Sequence, residues 1–330
     1  MSDFPTSAAI DHPEADPGLL DEILLGLTGE KKTLPSKLLY DAAGSELFQR
    51  ITELPEYYLT RTEKNLLGSR AADIVAAVPL EAGRARALVE FGASDESKAV
   101  SLLDVADGDF SAYHAIDISP SVLEPIRARM QVSHPHLEVE TLPTDFLQPL
   151  AMPEAFREMQ MIGFLPGSTV GQLLPADVVQ FLENVRRALT GAVRPAFVIG
   201  IDQCRDVARV LSAYDDSAGV SRAFNLNILS HISRLTDCDL DPDSFGRKVL
   251  WNPGEERVEM YLESRSAQSV RIAGRSIHFA AGETIQIGMS YKYGRERFLS
   301  IAAAAGWSPG GFWQDSGKLF GIHMLRVGKE

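Results

Sequence analysis

The sequence predicts an α/β protein built on a doubly wound parallel sheet. Short apolar runs alternate with amphipathic helical segments between residues 87 and 201, and this alternation is typical of successive βαβ units. The first unit begins with the apolar run Ala87–Phe91, turns at Gly92 and ends with a second strand at Asp117. A third observation is the change of pattern after Cys204, where closely spaced strand candidates predict an inserted α+β segment.

Gly92 and Asp117 are placed as in a nucleotide-binding βαβ unit. Glycine permits a tight turn and a close approach of the backbone to a ligand. Asp117 follows at the spacing, about 20 residues, where such folds place an acid on ribose hydroxyls. A carboxylate can accept both hydrogen bonds of a diol. Gly92 is the only glycine of its loop, so these residues alone suit ligand binding and an ordinary βαβ crossover equally.

Three helices are predicted before the sheet from apolar residues at helical spacing. They cover Leu19–Leu27, Asp41–Leu54 and Thr60–Val78. Thr60 or Thr62 is the predicted N-cap of the third helix, and Pro79 ends it. Residues 1–17 contain three prolines and several acids without an apolar period, so we expect a flexible arm there.

Five strands and three helices make up the predicted parallel sheet. The strands are Ala87–Phe91, Tyr113–Ile118, His136–Leu142, Met161–Leu165 and Ala196–Ile201. The helices between them are Lys98–Asp104, Pro120–Val132 and Ala176–Leu189. Ligands bind such sheets at the carboxyl ends of the strands, and there the chain carries Gly92, Asp117, the turn 144–146, the segment 166–169 and Asp202.

The segment after Cys204 departs from this alternation. Its predicted helices are Arg205–Tyr214 and Ser221–Leu235, followed by a meander of strands at Trp251–Asn252, Glu256–Ser264, Val270–Ile272, Ser276–Phe279 and Thr284–Ser290. A helix at Glu296–Ala305 and a strand pair at Phe312–Gln314 and Gly321–Val327 then predict a terminal antiparallel hairpin.

Composition excludes several classes of function. The net charge of −13 argues against a nucleic-acid partner, because phosphate binding requires a basic surface. No apolar run approaches the roughly 20 residues of a membrane span, and the N-terminus lacks the apolar region of a secretory signal. The two cysteines and seven histidines show no metal-ligand spacing. We therefore expect a cytoplasmic protein that binds no metal, nucleic acid or membrane.

Several blocks of the chain together resemble the histidine Nα-methyltransferases of ergothioneine biosynthesis. The blocks are Leu39–Phe48, Ile51–Tyr58, Thr60–Glu63, Phe164–Gly171, Ala213–Val220, Ala223–Asn225, Glu256–Met260 and Ser290–Tyr293. The resemblance extends over nearly the whole chain after residue 18. It implies an enzyme, working as a monomer, that uses S-adenosylmethionine (SAM) to methylate the α-amine of a free amino acid and releases S-adenosylhomocysteine (SAH).

The resemblance also implies a division of the chain. The expected fold is a class I SAM-dependent methyltransferase, a Rossmann-like doubly wound sheet with a C-terminal antiparallel hairpin, plus an inserted α+β substrate domain. Residues 18–61 and 204–290 would form the substrate domain, and residues 62–203 and 291–330 the SAM domain. The change of pattern at residue 204 agrees with this division.

The family's site residues carry over onto matching positions. For the cofactor they imply Gly92 at the turn, Lys98 on the methionine carboxylate, Asp117 on the ribose, Asp145 and Phe146 at the adenine, and Tyr40 and Phe48 nearby. Phe48 is equally compatible with the core. For the substrate they imply Tyr40 as the catalytic residue that orients the amine and handles its proton. The other implied substrate residues are Tyr57, Gln172, Tyr214, Met260, Gly288, Met289 and Ser290.

Three positions depart from the family pattern. Ser94 replaces a second loop glycine, Gln172 replaces an asparagine that holds the amino-acid group, and Gly288 replaces the glutamate that reads the imidazole of histidine. Loss of a hydrogen-bonding partner erases strong discrimination. We therefore predict a larger or less polar amino acid, or a related primary amine, with Met289 packing against its side chain. The alternatives are histidine itself, a non-catalytic SAM-fold binding protein, or methylation of a thiol or hydroxyl.

Overall fold

The helices and strands follow the predicted order. The computed structural model describes residues 17–106, 108–189, 194–236 and 238–327. The strands are β1 (Lys32–Thr33), β2 (Arg86–Phe91), β3 (Phe110–Asp117), β4 (Glu138–Pro143), β5 (Gln160–Leu165), β6 (Ala196–Asp202), β7 (Phe245–Asn252), β8 (Arg257–Ser264), β9 (Gln268–Ile272), β10 (Arg275–Phe279), β11 (Thr284–Tyr291), β12 (Trp307–Gln314) and β13 (Phe320–Val327).

The α-helices are α1 (Pro17–Thr28), α2 (Ala42–Glu53), α3 (Tyr58–Ala76), α4 (Ser97–Leu103), α5 (Pro120–Ser133), α6 (Glu154–Arg157), α7 (Pro175–Ala188), α8 (Val207–Tyr214), α9 (Val220–Thr236) and α10 (Arg295–Ala304). Short 3-10 helices cover Ser36–Leu39, Asp104–Ala106, Thr169–Gln172 and Pro242–Ser244. The arm predicted for residues 1–17 lies outside the described residues, apart from Pro17, where α1 begins.

The chain divides into two compact units. The smaller unit comprises Met1–Phe48, Ala218–Val249 and Met260–Gly288. The larger unit comprises Gln49–Ser217, Leu250–Glu259 and Met289–Glu330. The division of roles between substrate and SAM domains remains a prediction.

A seven-stranded sheet forms the centre of the larger unit. Its strand order is β12-β13-β6-β5-β2-β3-β4. Strands β2 to β6 pair in parallel, and β13 pairs antiparallel with both β6 and β12. This arrangement is the α/β fold of class I SAM methyltransferases, and it confirms the predicted sheet with its antiparallel C-terminal hairpin.

Helices cover both faces of this sheet. Successive residues of a strand point to opposite faces, so Leu88 and Val198 belong to one apolar cluster while Val89 and Phe197 belong to the other. Helices α3, α4 and α5 add apolar residues to the first cluster, and α7 and α10 to the second. Burial on both faces explains why these strands read as continuous apolar runs.

The inserted strands are ordered differently from the predicted meander. One sheet has the order β1-β11-β8-β7, while β9 and β10 form a two-stranded sheet of their own. Between these two, Ala273 and Gly274 have φ values of 46° and 78°, as a two-residue hairpin turn requires. The turn therefore closes β9 and β10 locally, and β11 pairs instead with β1, placing Ile285 opposite Lys32.

Helix α3 begins earlier than predicted, and the predicted N-cap is wrong. The helix begins at Tyr58 after Tyr57, whose side chain makes no capping hydrogen bond. The Thr62 hydroxyl donates instead to the carbonyl of Tyr58 within the helix. Tyr58 and Leu59 are both buried. Packing of this first turn therefore sets the start of the helix, without a hydroxyl cap.

Candidate functional site

The turn after β2 has the conformation that the sequence predicts. Gly92 has a φ of 70°, and its N–H and that of Ala93 donate to the carbonyl of Ile116. A side chain at position 92 would place its Cβ 3.4 Å from Cε1 of Phe146. Ser94 is not among the described residues with positive φ. The backbone therefore requires glycine at position 92 and does not require it at position 94.

Asp117, Asp145 and Phe146 lie close together after β3 and β4. The N–H of Thr144 donates to the carbonyl of Asp117 at 2.8 Å, and the Phe146 ring meets the Phe181 ring edge-on. Both aspartates accept a hydrogen bond from a backbone N–H two residues later in the chain. Burial raises the pKa of Asp117 above its ordinary value. The structure thus brings four predicted cofactor residues, Gly92 included, to one edge of the sheet.

Lys98 forms an ion pair that the sequence analysis missed. Its Nζ lies 2.6 Å from Oε2 of Glu63, whose side chain is 1% exposed. Both Glu63 oxygens accept from the N–H of Gly167 at 2.9 Å, and a Cβ at Gly200 would collide with this carboxylate. The signal was present in the sequence, since Glu63 follows Leu59 by one helical turn on a buried face, where a lone acid is unusual.

Glu90 is a second buried acid near this turn. It is fully buried in β2 and accepts a hydrogen bond from the hydroxyl of Tyr113. Its other oxygen has no hydrogen-bond partner in the described part of the chain. Burial raises the pKa of Glu90 to about 8, against the smaller opposing effects of Tyr113 and Lys98. Glu90 therefore holds a proton at neutral pH.

Because of the raised pKa of Glu90, we expect the free energy of unfolding to depend on pH. Between pH 4.5, the ordinary pKa of Glu, and pH 8 the folded protein holds the proton while the unfolded chain loses it. The free energy of unfolding should therefore fall as pH rises through this window, by about 1.4 kcal/mol per pH unit from this group. Urea unfolding at several pH values should show that Glu90→Gln removes this slope. A variant with an unchanged slope would contradict the assignment.

Five of the predicted substrate residues belong to the larger unit, and two of them, Tyr214 and Ser290, contact a buried lysine. The Tyr214 hydroxyl donates to Ser290 at 2.7 Å, and the Tyr57 ring meets the Tyr214 ring edge-on. Gly171, which precedes Gln172, packs against β11, where an added Cβ would lie 2.8 Å from the carbonyl oxygen of Tyr291 and 3.4 Å from Ser290 Oγ. Next to this group, Lys292 and Asp202 pair at 2.7 Å, both fully buried.

Tyr40 and Phe48 lie in the smaller unit, in an aromatic cluster with Phe224. The three ring centroids are 5.5 to 5.8 Å apart, and both predicted site residues are half-buried. The cluster orients the Tyr40 ring. For Phe48, the contacts with Tyr40 and Phe224 are compatible both with a role in the core and with a cofactor contact.

Met260 and Gly288 are neighbours in the smaller unit. A Cβ at position 288 would lie 3.0 Å from the methyl carbon of Met260. Met289 instead packs against the second apolar cluster of the larger unit, and its sulfur lies 3.4 Å from the Arg257 guanidinium. The space beside Gly288 is therefore bounded by an apolar side chain, and the residue that bounds it is Met260.

The part of the chain that the structure describes contains neither a metal-binding cluster nor a membrane-spanning helix. Within the described ranges, no His, Cys, Asp and Glu side chains gather in threes as a metal site would need. None of the helices in these ranges combines the length and the apolar character of a membrane span.

Comparisons with known proteins identify the family to which this sequence is similar. The family model described as "Histidine-specific methyltransferase, SAM-dependent" matches residues 19–327. The chain is 38% identical over 308 residues to the histidine N-alpha-methyltransferase of Mycolicibacterium smegmatis, covering 92% of this chain and 93% of that one. Identity to the enzyme of the same name from Mycobacterium tuberculosis is 36% over 310 residues, with the same coverage.

A more distant relative carries a different substrate in its name. The chain is 26% identical over 333 residues to the 4-dimethylallyltryptophan N-methyltransferase easF of Epichloe festucae var. lolii. The match covers 94% of this chain and 95% of that protein.

Proposed function

The chain belongs to the family of SAM-dependent, histidine-specific methyltransferases, and we propose that it methylates the α-amine of a free amino acid other than histidine. The observation that carries the proposal is Gly288, where the resemblance expects a glutamate. The space beside it is bounded by the Met260 methyl group. An apolar boundary favours an apolar substrate group, because glycine at position 288 offers no carboxylate to form a charge-assisted hydrogen bond with a protonated ring.

The residues after β2, β3 and β4 suit the cofactor. Gly92, at its positive φ, lets the cofactor approach the backbone closely. Asp117 offers carboxylate oxygens to the ribose diol, and Phe146 offers an apolar ring to the adenine. Bound there, SAM supplies an electrophilic methyl group on its sulfonium sulfur. We assign SAM binding to residues 62–203 and 291–330, with Lys98 and Asp145 as further contacts, and substrate binding to residues 18–61 and 204–290.

The remaining chemistry is mainly positioning. An amine attacks only when its lone pair is free and aligned, and correct alignment can supply much of the rate. We assign Tyr40 to orienting the amine and accepting its proton through water, and Tyr57, Gln172 and Tyr214 to holding the amino-acid group. Gln172 is one methylene longer than the family's asparagine, which supports an acceptor seated differently from histidine. We expect the protein to carry out this reaction as a monomer.

Histidine is the second candidate substrate. The two mycobacterial relatives, named for histidine methylation, favour it. The relative named for a dimethylallyltryptophan substrate favours a bulkier, less polar acceptor. Gly288 and Met260 support the second kind of acceptor.

Calorimetric titration with SAH tests the cofactor half of this proposal. We expect the purified protein to bind SAH with a micromolar dissociation constant. Folded protein without detectable SAH binding would favour the non-catalytic alternative over the enzyme.

Asp117→Ala is expected to weaken SAH binding by about 100-fold or more. Two hydrogen bonds to a charged group contribute about 1.5–3 kcal/mol each, and about 1.4 kcal/mol corresponds to a factor of ten. Asp73→Ala, which removes an exposed acid of α3, is the matched control and should bind SAH as the wild type does. Equal affinities for the two variants would contradict the role of Asp117.

A further inference from the structure

A buried cation, the ammonium group of Lys292, contacts two of the predicted substrate residues, Tyr214 and Ser290. Lys292 immediately follows β11, and its side chain is fully buried. Its ammonium nitrogen lies 2.7 Å from Asp202 Oδ2 and 2.9 Å from both the Tyr214 hydroxyl and the Ser290 Oγ. An ammonium group has three donors, so each of its protons has an acceptor in this group.

Asp202 holds this cation in place. The carboxylate accepts from the Tyr58 hydroxyl at 2.7 and 2.9 Å and from the N–H of Cys204 at 3.0 Å. Its own backbone N–H donates to Ser168. Burial opposes the charge on Lys292, but Asp202 and Tyr214 outweigh it, and the pKa of Lys292 lies above its ordinary value. The ammonium group is therefore charged and fixed.

The hydrogen bonds of Ser290 have a definite direction. Its oxygen accepts from the Tyr214 hydroxyl at 2.7 Å and from Lys292 at 2.9 Å. A serine hydroxyl has two acceptor sites and one proton. With both acceptor sites in use, the group that Ser290 offers to a ligand is its proton.

We propose that Lys292 is a positioning residue that fixes the Ser290 hydroxyl as a hydrogen-bond donor, so that Ser290 selects a hydrogen-bond acceptor atom on the substrate. A carboxylate or carbonyl oxygen satisfies this requirement, whereas an N–H group does not. The inference rests on the proposed function, because the resemblance implies that Ser290 contacts the substrate of that reaction. Lys292 itself acts only through Ser290, directly and through the Tyr214 hydroxyl that donates to Ser290.

The double variant Lys292→Met/Asp202→Asn tests this role without leaving a buried charge unpaired. The probe is the standard amino acid that the wild type methylates fastest. We expect its KM to rise about tenfold, the value for one lost hydrogen bond to the substrate, while SAH affinity stays within about threefold. Val185→Ala in α7 is the control for loss of stability alone and should leave KM unchanged.

A double-mutant cycle separates positioning from a structural role. In a Ser290→Ala background, the Lys292→Met/Asp202→Asn change should have no further effect on KM, because the hydroxyl it orients is absent. Tyr58→Phe, which removes one bond to Asp202 and keeps the ion pair, provides a milder version of the same cycle if the double variant does not fold.

The outcomes are distinct. Two results would overturn the role of Lys292 and leave the proposed function standing. One is an unchanged KM in the Lys292→Met/Asp202→Asn variant, and the other is a further rise in KM when the same change is made in the Ser290→Ala background. A wild type that binds SAH and methylates none of the twenty standard amino acids would overturn the proposed function, and this inference with it.

Discussion

Replacing Gly288 with glutamate is expected to raise kcat/KM for L-histidine by about 10- to 100-fold. The new carboxylate supplies a charge-assisted hydrogen bond to the imidazole, which contributes about 1.5–3 kcal/mol. Met260 must give way, since its methyl carbon lies 3.0 Å from the new Cβ, and methionine is flexible enough to do so. Steady-state kinetics on L-histidine, with the preferred amino acid alongside, measures the change.

Gly288→Gln is the matched control for this substitution. It has nearly the same size and the same contact with Met260 but carries no charge. We expect it to raise kcat/KM for L-histidine by much less than Gly288→Glu. Equal effects would show that filling the space matters and charge does not, and a fall in histidine turnover with both would contradict the reading of position 288.

The second large effect is expected at Glu63. Glu63→Gln should lower the free energy of unfolding by about 3 kcal/mol, because it leaves the largely buried Lys98 without its counter-ion. Urea unfolding followed by circular dichroism measures the change. A loss below about 0.5 kcal/mol would contradict the importance of this ion pair.

The double variant Glu63→Gln/Lys98→Met separates stability from ligand binding. Removing both charges should recover most of the lost stability. The double variant should nevertheless bind SAH at least tenfold more weakly, because it lacks the contact that we propose between Lys98 and the methionine carboxylate. A stable double variant with wild-type SAH affinity would remove Lys98 from the cofactor site.

The parallel sheet could be predicted because its strands are buried on both faces. Strands β2, β5 and β6 read as continuous apolar runs, and their predicted bounds agree with the structure within one residue. The two-residue strand β1 and the four-residue helix α6 are too short to carry a periodic pattern. The predicted meander is consistent with the antiparallel pairing of β9 and β10, but it does not reveal that β11 pairs with β1, because β1 lies far away in the sequence.

The candidate site was only partly accessible from the sequence. Gly92 carries a local signal, and the structure confirms its turn conformation. The Lys292–Asp202 pair has no such signal, because it joins residues from distant parts of the chain through tertiary packing. Glu63 and Glu90 stand at apolar positions of a helix and a strand, and that exception to the pattern was the available clue.

The most direct test of the central claim is a competition assay. The protein is incubated with SAM and an equimolar mixture of the twenty standard amino acids, and mass spectrometry identifies which of them gain methyl groups. We predict that an amino acid other than histidine, larger or less polar, yields the most N-methylated product. Histidine as the main product would contradict it.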